Sequence, residues 1–118
     1  MTVLLIVFLI GGAVLIGIGI PLIQGRIRPN PAYGFRVRRT LENPHLWYAV
    51  NSYSGWWVSG VGVAEVVVAT GLYFVPDLDV ALYGSIVGGV VVVGLIISLI
   101  QCFRCLHKLT KESEGATP

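Results

Sequence analysis

The sequence predicts an all-α membrane protein: a three-helix transmembrane bundle, with a cytoplasmic Arg- and aromatic-rich loop and an interfacial helix between spans 1 and 2. Three observations carry that reading. Of the 118 residues, 55% are hydrophobic and 12% are charged, more apolar surface than a soluble domain of this length can hide. Three apolar runs, about 3–23, 56–75 and 80–100, each supply the ~20 residues that a helix needs to cross a ~30 Å hydrocarbon core. The basic residues collect on alternate connections, as they do when a chain crosses a bilayer repeatedly.

The first run contains no charged residue. It lacks the basic leader and small-x-small cleavage site of a signal peptide and is longer than a signal core, so it reads as a retained helix. Pro21 falls near its end, where a kink is tolerated. The 24–55 connection holds Arg26, Arg28, Arg36, Arg38 and Arg39 against Glu42 alone. The turn between the second and third runs holds Asp77 and Asp79 and no base, and the 101–118 tail holds Arg104, Lys108 and Lys111. Lys and Arg near span ends mark the cytoplasmic side. The expected orientation therefore puts the first loop and the C-terminus in the cytoplasm, and the N-terminus and the acidic turn outside. The whole chain, 1–118, reads as one transmembrane domain.

Within the loop, Pro29, Pro31 and Gly34 predict irregular backbone over 26–40. Asn43-Pro44 has the pattern of an N-cap followed by the first helical residue. Leu46, Ala49, Val50, Tyr53 and Trp57 then fall on one apolar helical face. This helix is expected to lie at the interface or to enter the second span with a bend at Gly55. Small residues four apart recur in every span: Ala13 and Gly17, Gly60 and Ala64, Gly84 and Gly88, Ser85 and Gly89. In lipid such spacing lets helix backbones approach closely, either within the chain or in a homo-oligomer. The polar end, 111–118, is expected to fray.

Glu65 lies in the middle of the second run, where a carboxylate is costly and is a functional candidate by default. Trp47 and Glu65 are eighteen residues apart, about five helical turns. If the helix is continuous, they share a face with Asn51 that points into the bundle. The level opposite Glu65 on the third span is near Val90, and the first span offers it no ionisable partner. A hydrogen-bonded structural acid and a titrating site are both open readings. The five loop arginines are what orientation requires and can also attract anionic lipid headgroups.

Enzyme chemistry finds no support. There is no nucleophile elbow, zinc-protease motif or phosphate-binding loop, and His45 and His107 stand alone. Cys102 and Cys105 form a Cys-x-x-Cys pair at the end of the third span. Such a pair can be redox-active or bind metal, but no second ligand pair exists for a closed zinc site. The simpler reading is two small apolar residues at a helix end, open to lipidation. No catalytic residue, metal, cofactor or direct nucleic-acid contact is expected.

Pro29-Asn30, Tyr33-Gly34-Phe35-Arg36, Arg39-Thr40-Leu41, Trp47-Tyr48, Asn51 and Gly55 together resemble the core signature of the SdpI family, the bacterial family of the sporulation-delaying-protein immunity factor. Val37 replaces a usual Thr, and Ser52 stands where an Arg is common. The resemblance implies a multi-pass protein of the bacterial cell membrane with an immunity or sensor role. Such a protein protects against a secreted peptide toxin and relays its presence to a cytoplasmic repressor. It also implies that Asn30, Tyr33, Gly34, Phe35, Arg36, Arg39, Thr40, Trp47 and Asn51 form a loop capping the bundle, with Glu65 extending the polar site inward. The alternative is a small proton-coupled transporter with Glu65 as its titrating group.

Overall fold

The computed structural model describes residues 1–115, with side chains to 112. Four helices follow in order: α1 (Thr2–Ile23), α2 (Arg38–Glu42), α3 (Pro44–Tyr73) and α4 (Val80–Gly115). α1, α3 and α4 are each long and apolar enough to cross a membrane. They make an elongated all-helical molecule, 64 × 23 × 19 Å. Val3, Ile10, Val67 and Val92 are each more than half exposed. Outward apolar faces of this kind suit a lipid bilayer and would drive association in water.

Each helix end has a local cause. α1 stops at Gln24 because Gly25 takes a positive φ of 69°. The Gly25 N–H then donates to the Leu22 carbonyl at 3.2 Å, and the Arg26 N–H donates to the Pro21 carbonyl at 3.1 Å. That paired pattern closes a helix whose last carbonyls would otherwise be orphaned, and glycine adopts it without steric cost. Asn43 caps α3 as its sequence predicts, accepting from His45 N at 3.0 Å and Leu46 N at 3.3 Å ahead of Pro44. Asp79 caps α4 by accepting from Leu82 N.

Several expectations need correction. α3 is one continuous helix of 30 residues that runs through Gly55, so the predicted interfacial helix and the second span are a single element. The 26–40 stretch is not irregular throughout, since α2 begins at Arg38. The expected tail is helical rather than frayed as far as Gly115, since α4 runs on from the third span; positions 116–118 lie outside the described residues.

α3 is the central helix, with α1 and α4 packed on different faces of it. The α1–α3 contact is backbone against backbone. A Cβ built on Gly62 would lie 2.6 Å from the Gly12 carbonyl oxygen, and one on Gly55 would lie 2.5 Å from that of Gly19. Gly12 and Gly19 are two turns apart, as are Gly55 and Gly62, so the antiparallel helices meet at both pairs in register. Lipid tails are as apolar as leucine, and attraction between helices therefore comes from such close approach. The stripes expected from four-residue spacing do not make this contact: Cβ atoms at Gly17, Gly60, Gly88 and Gly89 would meet nothing within 4 Å. The seven-residue spacing of the contact glycines is the one that matters.

Two apolar clusters close the ends of the bundle. Near the acidic turn, Ala69, Tyr83 and Val87 pack with Leu4, Leu5 and Phe8. There Tyr83 donates its buried hydroxyl to the Ala69 carbonyl at 2.8 Å. Near the loop, Phe35, Leu46, Val50, Cys102 and Leu106 pack together. This second cluster joins the loop, α3 and α4, and it is the floor on which the candidate site is built.

Candidate functional site: a latched loop over the bundle end

After Gly25 the chain turns back across the end of α1. Trp47, fully buried, donates its indole N–H to the Ile27 carbonyl at 2.8 Å. A buried indole needs such a partner, and this one pins the first residues of the loop to α3. Ser52 adds a second tie, donating to the Ile23 carbonyl at 3.2 Å.

Asn30 organises the next turn. Its side-chain oxygen accepts from Ala32 N at 2.9 Å and Tyr33 N at 2.6 Å, while its amide donates to the Arg28 and Tyr33 carbonyls at 2.7 and 3.2 Å. Asparagine suits this role because its side chain mimics a peptide unit. The turn directs Tyr33 back toward α1, where its hydroxyl donates to the Ile18 carbonyl at 2.5 Å. Burial pushes the Tyr33 phenol up from its ordinary value.

Asn51 is the latch. Its Oδ1 accepts from Phe35 N at 2.5 Å, and its Nδ2 donates to the Trp47 carbonyl at 2.9 Å and the Phe35 carbonyl at 3.4 Å. One side-chain amide thus satisfies both backbone groups of a buried loop residue, as a neighbouring strand would. Thr40, fully buried, reinforces this by donating to the Phe35 carbonyl at 3.0 Å and accepting from Val37 N at 3.0 Å. The Phe35 ring meets Phe103 of α4 edge-on, with centroids 5.0 Å apart. Gly34 must be glycine for two reasons. Its φ is +103°, and a Cβ there would lie 2.5 Å from Asn51 Oδ1.

Asn30, Tyr33, Gly34, Phe35, Thr40, Trp47 and Asn51 therefore form one hydrogen-bonded and packed unit. The arginines sit on its outside. Arg36 donates to the Pro31 carbonyl, and Arg39 makes no hydrogen bond or ion pair among the described residues. Arg38 pairs with Glu42 at 3.0 Å, but both are exposed, and such a pair contributes little. The loop thus presents a basic outer face, with Arg26, Arg28, Arg36, Arg38 and Arg39 all exposed.

Glu65 is a separate feature. It shares the buried side of α3 with Trp47 and Asn51, but fourteen residues of helix, roughly 21 Å, lie between it and Asn51. Its neighbours come from α1. Cβ atoms built on Gly11 and Gly12 would lie 2.8 Å from Glu65 Oε1 and 3.7 Å from Oε2. The glycine pair at the middle of α1 is what makes room for the carboxyl. Glu65 is 5% exposed and makes no hydrogen bond among the described residues. Ser59, on the same α1–α3 seam beside Gly19, is the other partnerless group, with a buried hydroxyl.

Sequence reasoning missed Gly25, Ser52 and the Ile18 and Ile27 carbonyls that receive the loop. Gly25 had a readable signal, as a glycine ending an apolar helix. Ser52 and the two carbonyls had none, because any residue supplies a carbonyl. Among the described residues, no group of three His, Cys, Asp or Glu is placed to hold a metal ion.

No curated protein and no solved structure matches the chain. Residues 26–102, which take in the latched loop, all of α3 and most of α4, match the SdpI/YfhL protein family. That is more than half of the sequence and includes each loop residue described above, so the chain is a multi-pass membrane protein that belongs to the SdpI/YfhL protein family.

Proposed function

We propose that this protein is a non-enzymatic immunity or sensor protein of the bacterial cell membrane, giving resistance to a secreted toxic peptide and passing its presence to a cytoplasmic regulator. The observation that carries this reading is the latched loop. The side chains of Asn30, Thr40, Trp47 and Asn51 are spent on the fold, and what the loop turns outward is a shaped basic surface. A surface built in this way serves recognition. The proposed orientation places that surface in the cytoplasm and the Asp77–Asp79 side outside. Labelling intact cells with an impermeant thiol reagent checks it: Leu78→Cys should label and Arg38→Cys should not. The reverse pattern would overturn the orientation.

The role is tested by deleting the gene in its own host and exposing the cells to concentrated culture fluid from the parent strain. Survival should fall, and it should return with the wild-type chain but not with Asn51→Leu. Equal survival of deletion and parent strains would contradict the immunity role.

Two partnerless polar groups on one seam, Glu65 and Ser59, favour a second reading, a small proton-coupled transporter. Against it, the close Gly12–Gly62 backbone contact lies between their levels on α3. Glu65→Gln separates the two. A titrating role loses activity as fully with Gln as with Leu. A hydrogen-bonding role tolerates Gln and loses activity with Leu, and that second outcome is the one expected.

A further inference from the structure

On the side of α3 away from the glycine seam, α3 and α4 flank a groove of about 900 Å³, floored by the contact of Val61 with Gly94. Its walls are apolar. Gly60 and Ala64 form one side, Gly89, Val93 and Ile97 the other, and Trp57 stands near the loop end. The side chains do not fill it, since a Cβ on Gly60 or Gly89 would meet nothing within 4 Å. At the loop end, Tyr53 belongs both to this groove and to a second cavity of about 460 Å³, lined also by Gln101, Arg104, Cys105 and Lys108. Ile97, Gln101, Arg104 and Lys108 follow one another at helical spacing on one face of α4, so the apolar wall continues directly into the cationic one. Arg104 is the first charged residue on α4, which sets its level where hydrocarbon gives way to headgroups. No carboxylate lines either cavity.

From this continuity we infer that the α3–α4 groove is a binding site for an anionic phospholipid. One acyl chain lies over Gly60 and Gly89, and the phosphate is held by Arg104 and Lys108. The apolar part excludes a free anion as the fitting ligand, because a soluble phosphate has nothing to place there. The cationic part favours an anionic headgroup over a zwitterionic one, by on the order of tenfold for two bases. The arginines of the latched loop line neither the groove nor the cationic cavity.

Tryptophan quenching by lipids brominated on their acyl chains tests the site. Trp56→Phe removes the 66% exposed tryptophan at the rim of the groove, which bulk lipid would also quench, and keeps an aromatic ring there. Trp57 then reports the groove, and Trp47, fully buried, gives a constant background. The full chain is reconstituted in phosphatidylcholine vesicles with a minor fraction of brominated phosphatidylglycerol, or of brominated phosphatidylcholine at equal bromine content. The expected result is stronger, saturable quenching by the phosphatidylglycerol. Arg104→Gln with Lys108→Gln should remove the preference, and Gly60→Leu should remove it by filling the groove from a position whose Cβ meets nothing within 4 Å. Equal quenching by both lipids overturns the proposal. So does a preference that survives Gly60→Leu, which would leave only a surface charge effect. Quenching by both lipids that falls as chains become denser in the vesicle also overturns it, since a second copy would then be covering the groove.

Discussion

Asn51→Leu is expected to release the loop from the bundle while leaving the three long helices in the membrane. Leucine has a similarly branched side chain and is the better helix former, so the change removes the amide without weakening α3. Phe35 then has no partner for its N–H, and its carbonyl keeps Thr40 alone. Stranding buried backbone groups costs about 1–3 kcal/mol each, and Phe35 sits on the cluster that joins α3 to α4. A loss of about 3–4 kcal/mol is expected for the loop latch. Limited proteolysis in detergent measures it: cleavage within 26–40 should become fast in the variant, while fragments carrying α3 and α4 stay intact. Cleavage at parental rates would mean that the loop is held by something else.

Gly62→Leu should have the other large effect, on helix association. Here the obstacle is the Gly12 carbonyl, which belongs to a helix backbone and cannot rotate aside. Relief requires α1 to move away from α3, which also opens the Gly19–Gly55 contact and the space around Glu65. Overpacking typically costs 1–3 kcal/mol; with backbone on the other side, about 3 kcal/mol or more is expected. Gly60→Leu, two residues earlier, should be close to neutral because its Cβ points into open space. Thermal unfolding of both variants in the same detergent provides the comparison. Equal melting temperatures would remove the glycine seam as the main α1–α3 contact.

The two glycines also show what the sequence made legible. Hydropathy defines the three spans because a bilayer imposes a length and a composition that little else imitates. The start of α3 was readable for a local reason, Asn43 ahead of Pro44. The helix-packing faces were not readable. Four-residue and seven-residue spacings of small residues both lie in these helices, and only the arrangement of neighbours decides which is used. Glu65 illustrates the same limit. Its burial follows from the cost of charge in hydrocarbon, but its neighbours are glycines of α1, which have no side chain to advertise a site. In the loop, Asn30, Tyr33, Gly34, Phe35, Thr40, Trp47 and Asn51 come together as one unit, while Arg36 and Arg39 stay exposed on its outside. Their roles as latch, turn and anchor depend on backbone carbonyls that no residue pattern marks.

The Phe35 amide offers the most direct measurement. Its N–H belongs to no helix or sheet ladder, so the hydrogen bond that slows its exchange is the one to the Asn51 oxygen 2.5 Å away. Amide hydrogen exchange on the full chain in nanodiscs should find Phe35 protected to the same degree as the core of α3, and Asn51→Leu should bring it to the rate of an open loop while α3 stays protected. Rapid exchange at Phe35 in the parent chain would contradict a latched loop, and with it the recognition surface proposed for this protein.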